Sequence, residues 1–185
     1  LSGLQPGQTA AVFGAGPIGL VTVAALRAVG AERVISVEPA DARKAKAPGA
    51  GADAVLDPTE VDVPEAIRDL TGGAGADVTF ECAGLDALLA QAVASTRPGG
   101  TCVNVAIWGH PATFDLNSLV FSEIRLLGSL AYAGRHAEVI ALIRDGVVDV
   151  EQFITGRIAL DDIVEHGFRE LIDHKETNVK ILVHP

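Results

Sequence analysis

Short apolar segments alternate with longer, alanine-rich or amphipathic segments along most of this chain. The apolar segments end at glycine, proline or polar residues, as buried strands do, and they occupy residues 10–13, 33–37, 54–56, 77–81, 101–106 and 125–130. The segments between them have the length and spacing of helices and occupy residues 17–29, 40–47, 63–71, 85–95, 118–123 and 136–145. Because helices that separate strands act as crossover connections, the pattern predicts a six-stranded parallel sheet with helices on both faces.

Proline and glycine mark several of the predicted boundaries. Pro17 lies in the first turn of the first helix and Gly30 lies just past its end, where these residues are favoured. Pro48 and Gly49 are predicted to end the second helix. The stretch "RPGG" at residues 97–100 is predicted to turn the chain before the fifth strand.

The last part of the chain departs from this alternation. Residues 153–185 contain an extended stretch ("RIAL"), a predicted helix over 161–173 with Asp161 or Asp162 as its N-cap, and a predicted strand over 178–183. We therefore divide the chain into an α/β domain at residues 1–152 and a C-terminal segment at 153–185. We expect this segment to pack against a part of the protein outside the chain.

The first predicted strand runs into a glycine-rich turn, "GAGPIG", that opens the first helix. Gly14, Gly16 and Gly19 fit the pattern G-x-G-x-x-G in the strand–turn–helix context that makes it informative. The first glycine allows the tight turn, the second leaves room for a pyrophosphate, and the third lets the helix pack closely on the strand. Because helix N-termini favour anions, the turn predicts a phosphate-bearing nucleotide on a Rossmann-type, doubly wound sheet. A purely structural turn is the alternative.

An acidic residue lies where the ribose of such a nucleotide is expected. Glu38 ends the second predicted strand, 19 residues after Gly19, and the ribose-binding acid of this motif follows at a distance of about 20 residues. A carboxylate there accepts hydrogen bonds from both adenosine-ribose hydroxyls and repels a 2′-phosphate. Glu38 therefore favours NAD over NADP, and a solvated strand end is the alternative.

Composition and charge exclude several classes of partner. The chain has 14 Lys and Arg against 24 Asp and Glu, and its net charge of −10 opposes binding to nucleic acid or to an anionic membrane. It contains no apolar run long enough for a membrane span and no signal-peptide pattern. Two cysteines are too few for a disulfide scaffold, so a cytoplasmic location is the expectation.

The other chemistry-bearing residues do not form a recognisable site. The five histidines lack metal-ligand spacing, so we predict no complete zinc site in this chain. Cys82 and Cys102 are expected at opposite ends of neighbouring strands, roughly 10–15 Å apart at ~3.3 Å per residue, and we predict two free thiols. No lysine stands four residues after Tyr132, and there is no G-x-S-x-G or P-loop motif. These absences argue against short-chain dehydrogenase, hydrolase and phosphoryl-transfer chemistry.

Several stretches resemble one enzyme family in the same order along the chain. They are "GQTAAVFGAGPIGL", "VISVEP", "FECAG", "RPGGTCVNVA", "LLGSLAY" and "TNVKILVHP". They are similar to the cofactor-binding half of medium-chain zinc-dependent alcohol dehydrogenases, above all to the butanediol and sorbitol (polyol) branch. The resemblance implies that the last helix and strand return to a catalytic domain that comes earlier in the sequence. The lack of methionine and the start at Leu1 lead us to expect a fragment of a longer protein.

The resemblance also implies cofactor contacts from residues that follow the strands. These residues are Gly14, Gly16, Pro17, Ile18, Gly19, Glu38, Arg43, Cys82, Ala83, Gly84, Val105, Ala106, Ile107, Leu130, Ala131, Tyr132 and Lys180. The glycine-rich turn would hold the adenosine and pyrophosphate portion, and the fourth strand would end at the centre of the cofactor. The segments after the fifth and sixth strands would hold the nicotinamide. Arg43 would pack at the adenine ribose, unless it is an ordinary exposed arginine, and Lys180 would reach the pyrophosphate.

The residues and the resemblance together predict the NAD-binding part of an oxidoreductase. The enzyme would transfer a hydride between a secondary alcohol or polyol and NAD, and its catalytic zinc would have its ligands outside this chain, which alone is expected to be inactive. The sixth strand, residues 125–130, is a bare sheet edge, through which the resemblance implies a homodimer or tetramer. The alternatives are a zinc-free NADPH-dependent reductase of the same superfamily, a non-catalytic nucleotide-binding module and a methyltransferase.

Overall fold

The structure is a computed structural model that describes residues 1–174 and 177–185. The strands are β1 (Thr9–Phe13), β2 (Arg33–Val37), β3 (Ala54–Leu56), β4 (Ala76–Glu81), β5 (Thr96–Asn104), β6 (Arg125–Gly128), β7 (Ile154–Ala159) and β8 (Lys180–His184). The α-helices are α1 (Pro17–Ala28), α2 (Asp41–Lys44), α3 (Ala47–Ala50), α4 (Val63–Leu70), α5 (Asp86–Ser95), α6 (Asn117–Ser122), α7 (His136–Arg144) and α8 (Glu170–Asp173). Other helical turns cover Glu151–Phe153, Leu160–Asp162 and Ile163–Arg169.

Within the described ranges, six strands form one parallel sheet in the order β3-β2-β1-β4-β5-β6. The predicted parallel sheet is therefore confirmed. After β3 the chain crosses to the other side of β1 and adds β4, so the strand order reverses between β1 and β4. Ligands of open parallel sheets bind beyond the carboxyl ends of the strands at such a reversal.

Strands β1, β2 and β4 are buried on both faces over most of their length, and most residues of β1 and β2 are apolar, as expected of such strands. Successive residues of a strand point to opposite faces. Val12 and Leu20 belong to the core cluster that includes α1 and α3, whereas Phe13 and Ile67 belong to the cluster that includes α4 and α5. These two layers hold the carboxyl ends of the central strands in fixed positions beside one another.

The prediction of one helix over 40–47, ended by Pro48 and Gly49, is wrong. The structure has two short helices there, and both residues lie inside the second one, α3. Proline is tolerated in a first helical turn because its missing N–H would have no intrahelical partner. The helix ends instead at Gly51, whose φ of 107° lies in the left-handed region that favours glycine.

The prediction that residues 97–100 turn the chain before the fifth strand is also wrong. These residues lie within β5, and the ladder between β4 and β5 shifts register around them. Ala76 faces Thr96, whereas Val78 faces Thr101. The proline and the glycines therefore form a bulge, which inserts residues into a strand without ending it.

The C-terminal segment forms a second small sheet, in which β7 and β8 are parallel. The helix predicted over 161–173 is divided into a 3-10 turn, a π-helix over Ile163–Arg169 and α8. Asp162 lies at the start of the π-helix, but its side chain makes no capping hydrogen bond. Phe153 and Val179 are buried in the same core cluster as α1. The domain boundary at residue 152 stays a prediction.

None of the helices in the described part of the chain has the length and apolar character needed to cross a membrane.

Candidate functional site

Main-chain hydrogen bonds hold the first residues beyond the central strands side by side. The N–H of Gly14, just after β1, donates to the carbonyl of Val37 at 2.8 Å. The N–H of Cys82, just after β4, donates to the carbonyl of Phe13 at 2.9 Å. The ladder thus continues one step past the strands and brings the glycine-rich turn into contact with the turn after β4.

The three glycines of the turn have different surroundings. Gly14 has a φ of 97°, in the left-handed region, and a Cβ there would lie 3.2 Å from the Cβ of Ala83. A Cβ on Gly19 would lie 1.7 Å from the carbonyl oxygen of Gly14, so the helix could not pack so closely on the strand. A Cβ on Gly16 would meet no atom within 4 Å. The turn is therefore open to a ligand at Gly16.

The start of α1 adds polar groups to this opening. Gly16 is the N-cap residue and offers no side chain to the helix terminus, and Pro17 follows it. The first turn carries no acidic side chain, and Ile18 is half exposed. The first N–H groups of a helix lack intrahelical partners and carry a partial positive charge. This arrangement suits an anion such as a pyrophosphate.

Glu38 is buried and holds the glycine-rich turn against the end of β2. Its carboxylate accepts a hydrogen bond from the N–H of Ala15 at 2.7 Å and another from the N–H of Ala40 at 3.1 Å. The residue is 4% exposed. A carboxylate has about four lone-pair sites, so these two bonds leave acceptor capacity for the hydroxyls of a ribose. This second role of Glu38, in shaping the turn, was not predicted from the sequence.

A second acidic residue lies at the neighbouring strand end and was missed by the sequence analysis. Asp57 directly follows β3, as Glu38 follows β2, and its carboxylate pairs with the ammonium group of Lys44. This ammonium group also lies 2.9 Å from the carboxylate of Asp41. The hydrogen bond from Lys44 lowers the pKa of Asp57 to about 2. The ammonium group of Lys44 is thus paired with two carboxylates. Arg43, in the same short helix, is half-buried.

The turn after β4 is built on the last residue of that strand. The carboxylate of Glu81 accepts hydrogen bonds from the N–H groups of Ala83 and Gly84, at 2.8 and 2.7 Å. Gly84 has a φ of 75°, in the left-handed region. Ala83 is exposed beside the glycine-rich turn, whereas Cys82 is half-buried. The predicted residues 82–84 therefore lie at the same edge as the turn at Gly14.

The segments after β5 and β6 meet at the same edge of the sheet. The side-chain amide of Asn104 donates to the carbonyl of Ala106 at 3.0 Å, and the Trp108 indole N–H donates to the side-chain oxygen of Asn104 at 2.8 Å. The N–H of Ser129, just after β6, donates to the Asn104 main-chain carbonyl. Val105 is half-buried in this loop, and Ile107 is exposed.

The predicted residues beyond β6 are exposed in the described structure. Leu130, Ala131 and Tyr132 lie in a loop in which Ala131 has a φ of 55°. A positive φ is strained for alanine. The strand ends at Gly128 and does not reach residue 130 as expected. Lys180 opens β8, which pairs with β7 in the second sheet, so its contact with a pyrophosphate stays a prediction.

Both cysteines are free thiols, as predicted. Cys82 is half-buried and Cys102 is buried within the sheet. Burial raises the pKa of the Cys82 thiol to about 12 and that of the Cys102 thiol to about 11. Because the thiolate is the reactive form, neither residue is a nucleophile near neutral pH.

We expect both thiols of the folded protein to react slowly with iodoacetamide at pH 7.5. Unfolding in denaturant exposes them and returns their pKa values to the ordinary range, so both are then expected to react rapidly. Mass spectrometry of samples taken over time measures both rates. Rapid labelling of either thiol in the folded protein, or an internal disulfide after mild oxidation, would contradict this description.

A parallel sheet with this strand order, and with a glycine-rich turn at the point where the order reverses, defines a Rossmann-type α/β domain. A family model described as "Zinc-binding dehydrogenase" matches residues 17–145. The chain belongs to the zinc-binding dehydrogenase family, and the resemblance found in the sequence is confirmed.

The chain is similar to several known proteins of this family. It is 46% identical to the (R,R)-butanediol dehydrogenase of Neisseria gonorrhoeae over 185 residues, which are 100% of this chain and 52% of that protein. The crystal structure of 2R,3R-butanediol dehydrogenase from Bacillus subtilis has a TM-score of 0.92 and 39% identity, covering 100% of this chain and 52% of that one. A Sinorhizobium meliloti 1021 protein solved with NADP bound has a TM-score of 0.86 and 31% identity, covering 100% of this chain and 54% of that one. The chain spans about half the length of the curated relatives it matches.

The family description implies a zinc ion, and the described residues do not fit one. In residues 1–174 and 177–185, no group of three or more His, Cys, Asp or Glu side chains could hold a metal ion.

Proposed function

We propose that this chain is the NAD-binding part of an enzyme that transfers a hydride between NAD and a secondary alcohol or polyol of the butanediol or sorbitol type. The opening at Gly16 carries the proposal, because it exposes a bare main chain and a helix N-terminus at the reversal of strand order. The similarity to butanediol dehydrogenases supports the substrate class. NAD supplies the hydride acceptor of the reaction when it is bound.

Different residues at this edge of the sheet would bind different parts of NAD. The N–H groups at Gly16 and Ile18 would bind the pyrophosphate, and Glu38 would accept hydrogen bonds from the adenosine ribose. The main chain of residues 105–107 would orient the nicotinamide, and residues 130–132 would cover its edge. Glu38 and the pairing of Lys44 with two carboxylates both favour NAD over a cofactor with a 2′-phosphate.

Titration of the chain with three adenosine compounds tests this proposal. We expect calorimetry to detect binding of NAD, weaker binding of NADP and no binding of S-adenosylmethionine. Because the predicted zinc ligands lie outside the chain, NAD together with 2,3-butanediol is expected to yield no NADH. Tighter binding of NADP would favour the NADPH-dependent reductase, and binding of S-adenosylmethionine alone would favour the methyltransferase.

We also propose that the protein is a homodimer that joins two copies through β6. This strand is the edge of the sheet, and apolar side chains are exposed on and near it, including Leu126 and Phe121. Exposed strand edges pair readily with other strands.

The two free thiols are compatible with a reducing compartment, and we propose the cytoplasm as the location of the protein.

Light scattering is expected to give twice the chain mass of 19.1 kDa. Arginine in place of Leu126 puts a charge on the proposed interface and is expected to shift the mass towards that of the monomer. Arginine in place of Val139, an exposed apolar residue on α7, is the matched control and is expected to leave the dimer intact. A wild-type monomer at micromolar concentration would contradict the proposed interface.

A further inference from the structure

Glu81 is the one glutamate among the described residues with no measurable solvent exposure. It ends β4 in the centre of the sheet, between Phe13 of β1 and Asn104 of β5. In the described structure its second carboxylate oxygen, Oε2, is buried and has no hydrogen-bond partner. An unpartnered polar atom in the interior opposes folding, so stability alone does not account for a glutamate at this position.

The hydrogen bonds of Glu81 connect two different loops at the carboxyl edge of the sheet, where the cofactor crevice is proposed to lie beside the glycine-rich turn. Its Oε1 atom accepts from the N–H groups of Ala83 and Gly84, as described above. Its main-chain carbonyl accepts from the N–H groups of Val105 and Ala106, at 2.8 and 3.2 Å. One residue thus contacts four N–H groups in two loops.

The loop after β4 also contacts the glycine-rich turn. The Cβ of Ala83 is the atom that a Cβ on Gly14 would meet, at 3.2 Å. A displacement of this loop towards Gly14 would narrow the crevice beside the turn, and a displacement away from it would remove one wall. The position of Ala83 depends on the reach of the Glu81 side chain, because the two hydrogen bonds to Oε1 set the path of the main chain.

We infer that Glu81 is a positioning residue of the cofactor crevice, which sets the separation of the loops at residues 82–84 and 105–106. It acts through main-chain groups and does not itself contact the cofactor. The inference rests on the proposed NAD-binding function of this crevice. Burial raises the pKa of Glu81, whereas the main-chain N–H groups of Ala83, Gly84 and Leu85 lower it. An oxygen that accepts hydrogen bonds serves the positioning role in either protonation state.

Two substitutions separate the reach of the side chain from its charge. Glu81→Gln keeps the chain length and one acceptor oxygen, and it is expected to bind NAD within about threefold of the wild-type Kd. Glu81→Asp keeps the carboxylate but is one methylene shorter, and it is expected to weaken NAD binding roughly tenfold, the equivalent of about one hydrogen bond. Calorimetric titration of the 185-residue chain measures both values.

Amide hydrogen exchange on the free protein gives a second readout that needs no cofactor. The amides of Ala83 and Gly84 are expected to exchange faster in Glu81→Asp than in the wild type, and at the wild-type rate in Glu81→Gln. If the wild type does not bind NAD, the proposed function fails, whereas the exchange rates still decide whether Glu81 orders this loop. Wild-type exchange at both amides in Glu81→Asp would overturn the inference.

Asp77 provides a matched control on the same strand. Its carboxylate accepts hydrogen bonds from the N–H of Thr9 at 2.9 Å and from Nε of Arg97 at 2.7 Å, near the opposite end of β4. Asp77→Ala is expected to lower the thermal midpoint while the Kd for NAD stays within about twofold of wild type. Equal weakening of NAD binding by Asp77→Ala and Glu81→Asp would show a general loss of stability and overturn the inference. Weak NAD binding by Glu81→Gln with normal binding by Glu81→Asp would also overturn the inference, because the charge of Glu81 and not the reach of its side chain would then determine binding.

Discussion

Replacement of Gly19 with alanine is expected to destabilise this protein strongly, by about 3 kcal/mol, the upper end of the usual cost of overpacking. A Cβ at this position would lie 1.7 Å from the carbonyl oxygen of Gly14 and 2.8 Å from its carbon. These are main-chain atoms, so no side chain can move aside, and α1 must shift away from β1. Unfolding in urea, followed by circular dichroism, measures the loss.

Replacement of Gly16 with alanine is expected to weaken NAD binding while it leaves the stability of the protein nearly unchanged. Its φ of −69° suits any residue and its Cβ would meet no atom within 4 Å, so the free energy of unfolding should change by less than about 1 kcal/mol. The new methyl group would stand where the pyrophosphate is proposed to approach. The Kd for NAD is therefore expected to rise about tenfold or more, which calorimetry measures.

The Gly16 and Gly19 variants together separate cofactor binding from helix packing. Gly109 also has open space around its Cβ, so Gly109→Ala is a control for alanine at an exposed glycine and is expected to change neither property. Normal NAD binding by Gly16→Ala would show that the pyrophosphate does not lie on this turn. Wild-type stability of Gly19→Ala would contradict the close packing of α1 on β1.

Substitution of Glu38 by glutamine is expected to reduce the preference for NAD over NADP by about 100-fold. The amide keeps an acceptor oxygen near the N–H of Ala15, but it removes the negative charge that repels a 2′-phosphate and weakens the hydrogen bonds to the ribose. Hydrogen bonds to a charged group contribute about 1.5–3 kcal/mol, and 1.4 kcal/mol is a factor of ten in affinity. Calorimetric Kd values for both cofactors give the ratio.

A second carboxylate controls for the general effect of removing a negative charge. Asp77→Asn removes one charge at the opposite edge of the sheet and is expected to leave the ratio of the two Kd values unchanged. The thermal midpoint of each variant shows whether the substitution has changed the stability of the folded protein. An unchanged ratio in Glu38→Gln would remove the ribose-binding role from Glu38 and leave it with the structural role alone.

The apolar pattern predicted the six strands of the sheet, because strands that are buried on both faces are rich in apolar residues. The glycine spacing also predicted the tight turn between β1 and α1, since each of the three glycines meets a different steric demand. Glu38 was found from its distance to this motif. The same kind of signal was present for Asp57, which follows the next strand in the chain, but its pairing with Lys44 could not be predicted from sequence.

The errors lie where distant contacts override local preference. Pro48 and Gly49 are poor helix residues in general, yet α3 contains both because proline is tolerated in its first turn. Residues 97–100 have the composition of a turn, but the ladder with β4 resumes after them and makes them a bulge. Both outcomes depend on neighbours in space that a local pattern does not contain.

The order of residues along this chain was enough to determine the parallel sheet, the glycine-rich turn and the acid at the end of β2. Each of these depends on short-range spacing, which the sequence contains directly. The tertiary structure alone decided that Glu81 contacts two loops, that Glu38 holds the glycine-rich turn, and that Asp57 pairs with Lys44. Hydrogen bonds between residues far apart in the chain depend on where the folded strands end, and only the packed sheet sets those positions.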